Sequence, residues 1–112
     1  MGNGFNRAMI CVPIRQKSSK EAIKMMVSSQ RVADISEIWF DEILDFSEKK
    51  MNEIIKKKKT EVIYKWQGNK KNLKIVLQKN IEYIDLDIKP QKSIIEEIKK
   101  ISPSTKIIMS FH

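Results

Sequence analysis

Hydropathy along this chain switches repeatedly between a two-residue and a 3.6-residue period, and few folds tolerate that alternation. Ala8 to Ile14, Asp34 to Phe40, Thr60 to Trp66, Glu82 to Ile88 and Lys106 to Phe111 are short segments rich in β-branched and aromatic residues. Such segments read as strands. Between them lie amphipathic stretches that open on helix-start signals. Ser18 stands three residues before Glu21, ahead of a helix running from about Ser19 to Val32; Ser47 caps the second, and Gln67-Gly68-Asn69 turns into a third over Lys70 to Lys79. Pro90 sits near the start of a fourth, whose Ile94, Ile95, Ile98 and Ile101 share one face. Five strands alternating with four helices predict an α/β fold of alternating βα units with a parallel sheet. Two architectures satisfy the pattern, an open doubly wound sheet and the first half of a (β/α)8 TIM barrel. Periodicity does not separate them. A ferredoxin-like fold fits less well, because it needs fewer strands and expects hairpins.

With 112 residues, the chain is long enough for one core but far short of the ~250 residues of a closed eight-stranded barrel. The domain expectation is a flexible N-terminus over residues 1–7 and a partial barrel over 8–112. The net charge of +8 raises an anionic partner. Lys56 to Lys59 form a run of four, and Lys49-Lys50, Lys70-Lys71 and Lys99-Lys100 are pairs. Cations at helix C-terminal ends complement the helix dipole, so these are read first as solvated helix ends. Cys11 is the single cysteine, which excludes an intrachain disulfide and a cysteine-rich zinc site and fits a reducing compartment. No apolar run approaches the ~18 residues of a membrane span, and Asn6 stands where a myristoylation motif wants Ser or Thr. A cytoplasmic protein is expected.

In a parallel sheet, function gathers beyond the carboxyl ends of the strands. The residues placed there are Glu37 to Asp41, Lys65 to Asn69, Asp85 with Asp87, and Ser110 to His112. No phosphate-binding glycine loop is present: Gly2 and Gly4 precede the first strand and Gly68 stands alone. Asp85 and Asp87 are two apart in a strand and share a face, opposite Ile84, Leu86 and Ile88. Two carboxylates on one face of a covered sheet need water, a cation or hydrogen-bond donors. No second histidine accompanies His112, so an Asp-rich magnesium site is the only metal option, a weak one; no cofactor is expected.

Asp85-Leu86-Asp87-Ile88, the spacer through Lys106, and the run from Ile107 to Ser110-Phe111-His112 form a combined pattern. It resembles the type I 3-dehydroquinate dehydratases, (β/α)8 lyases of the shikimate pathway, in which an Asp-x-acid strand precedes an apolar strand ending in Ser-x-His. Ile10 to Ile14 resembles the family's first strand, and Glu37-Ile38-Trp39-Phe40-Asp41 its Glu-x-Arg-x-Asp segment. The resemblance covers residues 8 to 112 and is collinear with the first half of a family member. It implies dehydration of 3-dehydroquinate to 3-dehydroshikimate. A lysine amine condenses with the substrate ketone, and a histidine takes the neighbouring proton and assists loss of the hydroxyl as water. On this resemblance His112 is the catalytic acid/base, Glu37 contacts substrate hydroxyls, and Asp41, Asp85 and Asp87 are supporting acids.

The departures are specific. The Schiff-base lysine belongs to a strand beyond His112, so the expectation is a chain truncated before its nucleophile and inactive alone. Trp39 stands at one family arginine and Trp66 is assigned to another, and a tryptophan cannot supply a charged fork. Gln67-Gly68-Asn69-Lys70 lacks the usual glutamate, and Phe111 replaces a customary polar residue. The partners expected are 3-dehydroquinate and either a second copy or a complementary half-barrel, since a half-barrel leaves two strand edges unpaired. The alternative is a non-catalytic basic protein that binds nucleic acid or another anion on the same scaffold, with Trp39 and Trp66 stacking on bases. Nucleic acid is the less expected partner, because helix-end lysines already have a local explanation.

Overall fold

A computed structural model describes residues 8–87 and 92–110. Five strands, β1 (Cys11–Ile14), β2 (Ile35–Ile38), β3 (Glu61–Lys65), β4 (Tyr83–Asp87) and β5 (Lys106–Ser110), alternate with four helices, α1 (Ser19–Ser29), α2 (Glu48–Lys57), α3 (Lys70–Leu77) and α4 (Lys92–Ile101). All strand pairs are parallel and their order in the sheet is β1-β2-β3-β4-β5. That order resolves the architecture. A doubly wound sheet reverses direction at a switch point, whereas here every crossover steps one strand further the same way. Right-handed crossovers then place every helix on one face of the sheet. Each helix packs on the next, α1 on α2, α2 on α3 and α3 on α4. This is the arrangement of half a TIM barrel.

The helix starts follow local chemistry. Ser18 Oγ accepts from the Glu21 N–H at 3.2 Å, Ser47 Oγ from the Lys50 N–H at 3.3 Å, and Asn69 Oδ1 from the Asn72 N–H at 2.9 Å. Each satisfies one of the orphan donors of a helix N-terminus. Gly68 has φ +100°, which makes the turn into α3. Most strand and helix ends fall short of the sequence expectation by one to three residues, as at α1, which stops at Ser29 rather than Val32. Phe40, expected as the end of a strand, instead opens a 3-10 turn (Phe40–Glu42) and is fully buried. Its ring meets Tyr64 edge-on at 5.3 Å and Phe46 at 5.2 Å, so aromatic packing overrides extended propensity there.

Two rows of side chains give the sheet its two faces. Ile14, Ile38, Tyr64, Ile84 and Ile107 lie side by side in register and face the helices. They meet Met26, Met51, Ile54, Leu73, Val76 and Ile98 from the helix layer, all buried. The opposite, inner face carries Glu37, Ile63, Lys65, Tyr83, Asp85, Asp87, Ile108 and Ser110 by alternation. Ile84 and Leu86 turn to the core as the sequence pattern requires; Ile88, Pro90, Phe111, His112 and the segment 1–7 lie outside the described residues. No helix among the described residues is long and apolar enough to cross a membrane.

Candidate active site

The inner face gathers its charges at the carboxyl ends of β2, β3, β4 and β5. Register places Lys65 beside Asp85, and Asp87 beside Ser110. Lys65 Nζ lies 3.3 Å from Asp85 Oδ2 and 3.6 Å from Asp87 Oδ1, clamped between the two acids of β4. Ser110 donates its hydroxyl to the other oxygen, Oδ1, of Asp85. Asp85 is therefore held on both sides. Its side chain is 10% exposed and that of Lys65 13%, so this pair is largely desolvated, whereas Asp87 at 66% reaches solvent. A buried ion pair persists only when its remaining polar atoms are also satisfied, and the Ser110 hydroxyl meets that need.

Glu37, half-buried on β2, completes the cluster. Burial pushes its carboxyl above the ordinary value, the negative charge of Asp85 pushes the same way, and Lys65 opposes both. Cys11 on β1 is raised by burial and then by Glu37. Among the described residues no group of three or more His, Cys, Asp or Glu is placed to hold a metal ion.

Asp41 is brought to the same rim but not into this cluster. Its carboxylate accepts from the Tyr64 hydroxyl at 2.5 Å, the backbone N–H groups of Gln67 at 2.7 Å and Asn69 at 3.3 Å, and the Asn72 amide at 3.1 Å. It organises the β3–α3 loop from the neighbouring β2–α2 loop. Burial, and after it the same carboxylate, push the Tyr64 hydroxyl far up. Beside it, Glu42 accepts two hydrogen bonds from Arg15, at 2.8 and 2.9 Å, and one from Gln67 Nε2 at 2.9 Å, which holds its carboxyl below the usual range. The Arg15 guanidinium in turn covers Trp39, 5.4 Å from the ring centre. Loops after β1, β2 and β3 are thus cross-braced at the rim.

Glu37, Asp85 and Asp87 converge as candidate residues, Asp41 stands next to them as a loop brace, and His112 lies outside the described residues. Lys65 is the residue to which sequence reasoning gave no role. Its signal was strand alternation, since it sits two residues past Ile63 on the same face. Trp66, set by the resemblance at an arginine position, instead packs against the helix-side core and donates Nε1–H to Asn69 O at 3.0 Å. The inward cation at the end of β3 is Lys65. Trp66 is thus half-buried against the core, and Arg15 covers one face of Trp39.

The sequence model of the type I 3-dehydroquinase family matches residues 10–112. The chain belongs to the type I 3-dehydroquinase family. Similar relatives include a 3-dehydroquinate dehydratase of Methanococcus maripaludis, 29% identical over 116 residues, and one of Methanocaldococcus jannaschii, 27% identical over 117. In both cases the match covers 93% of this chain and 53% of the relative. The chain spans about half the length of the curated relatives it matches. Within this family the charged cluster lies where a (β/α)8 enzyme builds its active site, at the carboxyl ends of the strands.

Proposed function

We propose that the chain provides the substrate-gripping and acid/base half of a 3-dehydroquinate dehydratase site. The observation that carries this reading is the convergence of Glu37, Lys65, Asp85, Asp87 and Ser110 at one rim of a half-barrel that belongs to the family. In the reaction, 3-dehydroquinate loses a proton from the carbon beside its ketone and a hydroxyl from the next carbon, giving 3-dehydroshikimate and water. A lysine amine, which the family resemblance places on a later strand, forms an imine with the ketone and releases the ketone oxygen as water. The imine acidifies the adjacent C–H. His112 takes that proton and returns one to the departing hydroxyl, a pair of steps suited to an imidazole whose ordinary pKa is ~6.5; water then hydrolyses the product imine, restoring the ketone of 3-dehydroshikimate and the free lysine.

Glu37 meets substrate hydroxyls in this scheme. Burial and the charge of Asp85 raise its carboxyl above the ordinary value. Asp85 and Lys65 fix the electrostatic floor, and Asp41 fixes the loop that borders it. In this scheme the edge strands β1 and β5 pair with a second copy or a complementary half-barrel, and the nucleophile comes from the family's later strand. A cytoplasmic setting agrees with the single, unpaired Cys11.

Titration of the labelled chain with 3-dehydroquinate, followed by amide NMR, tests the grip. Shifts should concentrate at residues 37, 65, 85, 87 and 110, and shifts elsewhere or none at saturating ligand would overturn it. Mixing with the separately produced second half of the Methanocaldococcus jannaschii relative should yield dehydration that His112→Ala abolishes. Turnover indifferent to His112→Ala would refute the assignment of the acid/base.

A further inference from the structure

The outer, helical surface carries a feature that the rim chemistry does not use. On α1, Lys20, Lys24 and Val27 follow one another at spacings of four and three and form a single stripe, and Arg31 stands in the turn just beyond the helix. On α2, Lys50, Glu53 and Lys57 form the facing stripe at spacings of three and four. Between the two helices runs an open groove of about 650 Å³, floored by Ile23 and Val27 and walled by Lys20, Lys24, Lys50 and Lys57, with Glu53 as its one acid. It continues into a second groove of about 640 Å³ lined by Arg31, Lys56, Lys57 and Lys59. Seven cations therefore border one continuous channel. The Lys59 N–H donates to Gln30 Oε1 at 2.5 Å, which pins the end of α1 to the segment that follows α2.

Helix-end solvation accounts for only part of this. Lys56 and Lys57 do lie in the last turn of α2, where the dipole favours them, but Lys20 lies in the first turn of α1 and Lys24 at its midpoint, where it does not. Lys58, the remaining member of the four-lysine run, is used internally: its Nζ bonds Thr60 O at 3.1 Å and both oxygens of Glu82 at 3.3 Å. Lys50 also faces Asp45. Among the described residues, Lys20, Lys24, Lys56 and Lys57 enter no ion pair.

We propose that the α1–α2 groove is a docking track for the phosphodiester backbone of nucleic acid. A linear array of cations with almost no opposing charge fits a polyanion, and the channel excludes a second copy of this chain, whose net charge is +8. Protein partners dock through buried aromatic anchors and pockets that take them; no aromatic residue lines either groove. The same lack of aromatics removes base stacking, so recognition is of the backbone and independent of sequence. The 11 residues of α1 make a channel of about 16 Å. At 3.4 Å per phosphate of one strand it spans about four to five phosphates.

Fluorescence anisotropy with a labelled 20-base-pair DNA duplex tests the proposal, using the whole chain. Four phosphate contacts give a slope of about −3.6 in log Kobs against log[salt], so affinity falls about a hundredfold between 50 and 200 mM salt. The triple variant Lys24→Gln, Lys50→Gln, Lys57→Gln should flatten the slope by about 2 to 3. The pair Lys92→Gln, Lys100→Gln on α4 should leave it unchanged. Circular dichroism confirms that each variant is folded. A slope flatter than −1, an unaltered triple variant, or an equal effect of the α4 pair would overturn the proposal. Displacement of the duplex by polyglutamate at equal charge concentration would also overturn it, in favour of an acidic protein partner.

Discussion

Replacing Asp41 with alanine tests whether the rim loops are held by one carboxylate. Four donors lose their acceptor, and they are not equivalent. The Gln67 and Asn69 N–H groups are exposed, so water replaces the carboxylate and each loss costs about 0.5 kcal/mol. The Tyr64 hydroxyl and the Asn72 amide belong to residues that are 0% and 7% exposed, and each becomes an unsatisfied buried group at about 1–3 kcal/mol. Asp41→Ala should therefore cost about 3–7 kcal/mol, a large share of the ~5–15 kcal/mol typical of a domain. Tyr64→Phe removes only the hydroxyl and leaves Asp41 with three donors, at about 1 kcal/mol. In the double variant the orphaned hydroxyl no longer exists. Its cost should fall below the sum of the singles by about 1–2 kcal/mol. Urea titrations followed by circular dichroism give the three values, with Asp41→Asn as a milder variant should the alanine form lack a folded baseline. Additivity within about 0.5 kcal/mol would refute the reasoning, because it would mean that Tyr64 and Asp41 do not depend on each other.

Lys65→Met leaves Asp85, one-tenth exposed, without its cation and should cost about 3 kcal/mol in the same titration. Asp87→Asn, at an acid 66% exposed, should cost under about 1 kcal/mol. Glu37 has its carboxyl raised above the ordinary 4.5, so its contribution to stability is fully present below that value and is lost as pH rises through the raised one. Glu37→Gln should consequently raise the melting temperature relative to the parent chain at pH 7 and lose that advantage near pH 3; a constant difference across that range would contradict the assignment. Gly68→Ala meets nothing within 4 Å yet must adopt φ +100°, so it should destabilise by about 1 kcal/mol.

The two-period alternation made the elements legible because each depends on a local rule: β-branched content for β3 and β5, a serine cap for α1 and α2, a period of two for β4. The sheet order was not legible, since it depends on which way each crossover turns, and both candidate architectures use the same βα unit. Phe40 was misjudged for a related reason. Its extended propensity is local, whereas the ring contacts with Tyr64 and Phe46 that bury it lie in other segments. Asp85 and Asp87 could be placed on one face by counting. Lys65 could be placed as well, but not its role, because its meaning comes from the register that sets it beside Asp85. The basic groove was hidden in the same way: its two stripes are about thirty residues apart in the chain, and each alone looks like a solvated helix face.

The inner cluster divides its carboxylates by what they already hold. Both oxygens of Asp85 are engaged, one by Lys65 and one by Ser110, all contributed by neighbouring strands of the same sheet. A carboxylate so occupied is a poor acceptor for a substrate proton and a good electrostatic anchor. Glu37 is the reverse case, half-buried, raised by burial and by the fixed charge of Asp85, and with no hydrogen bond among the described residues. The charge that anchors one acid is what tunes the other. Every group of this cluster comes from β2 to β5, so its electrostatics are assembled inside the half-barrel itself. The field at this rim is therefore set by these four strands together.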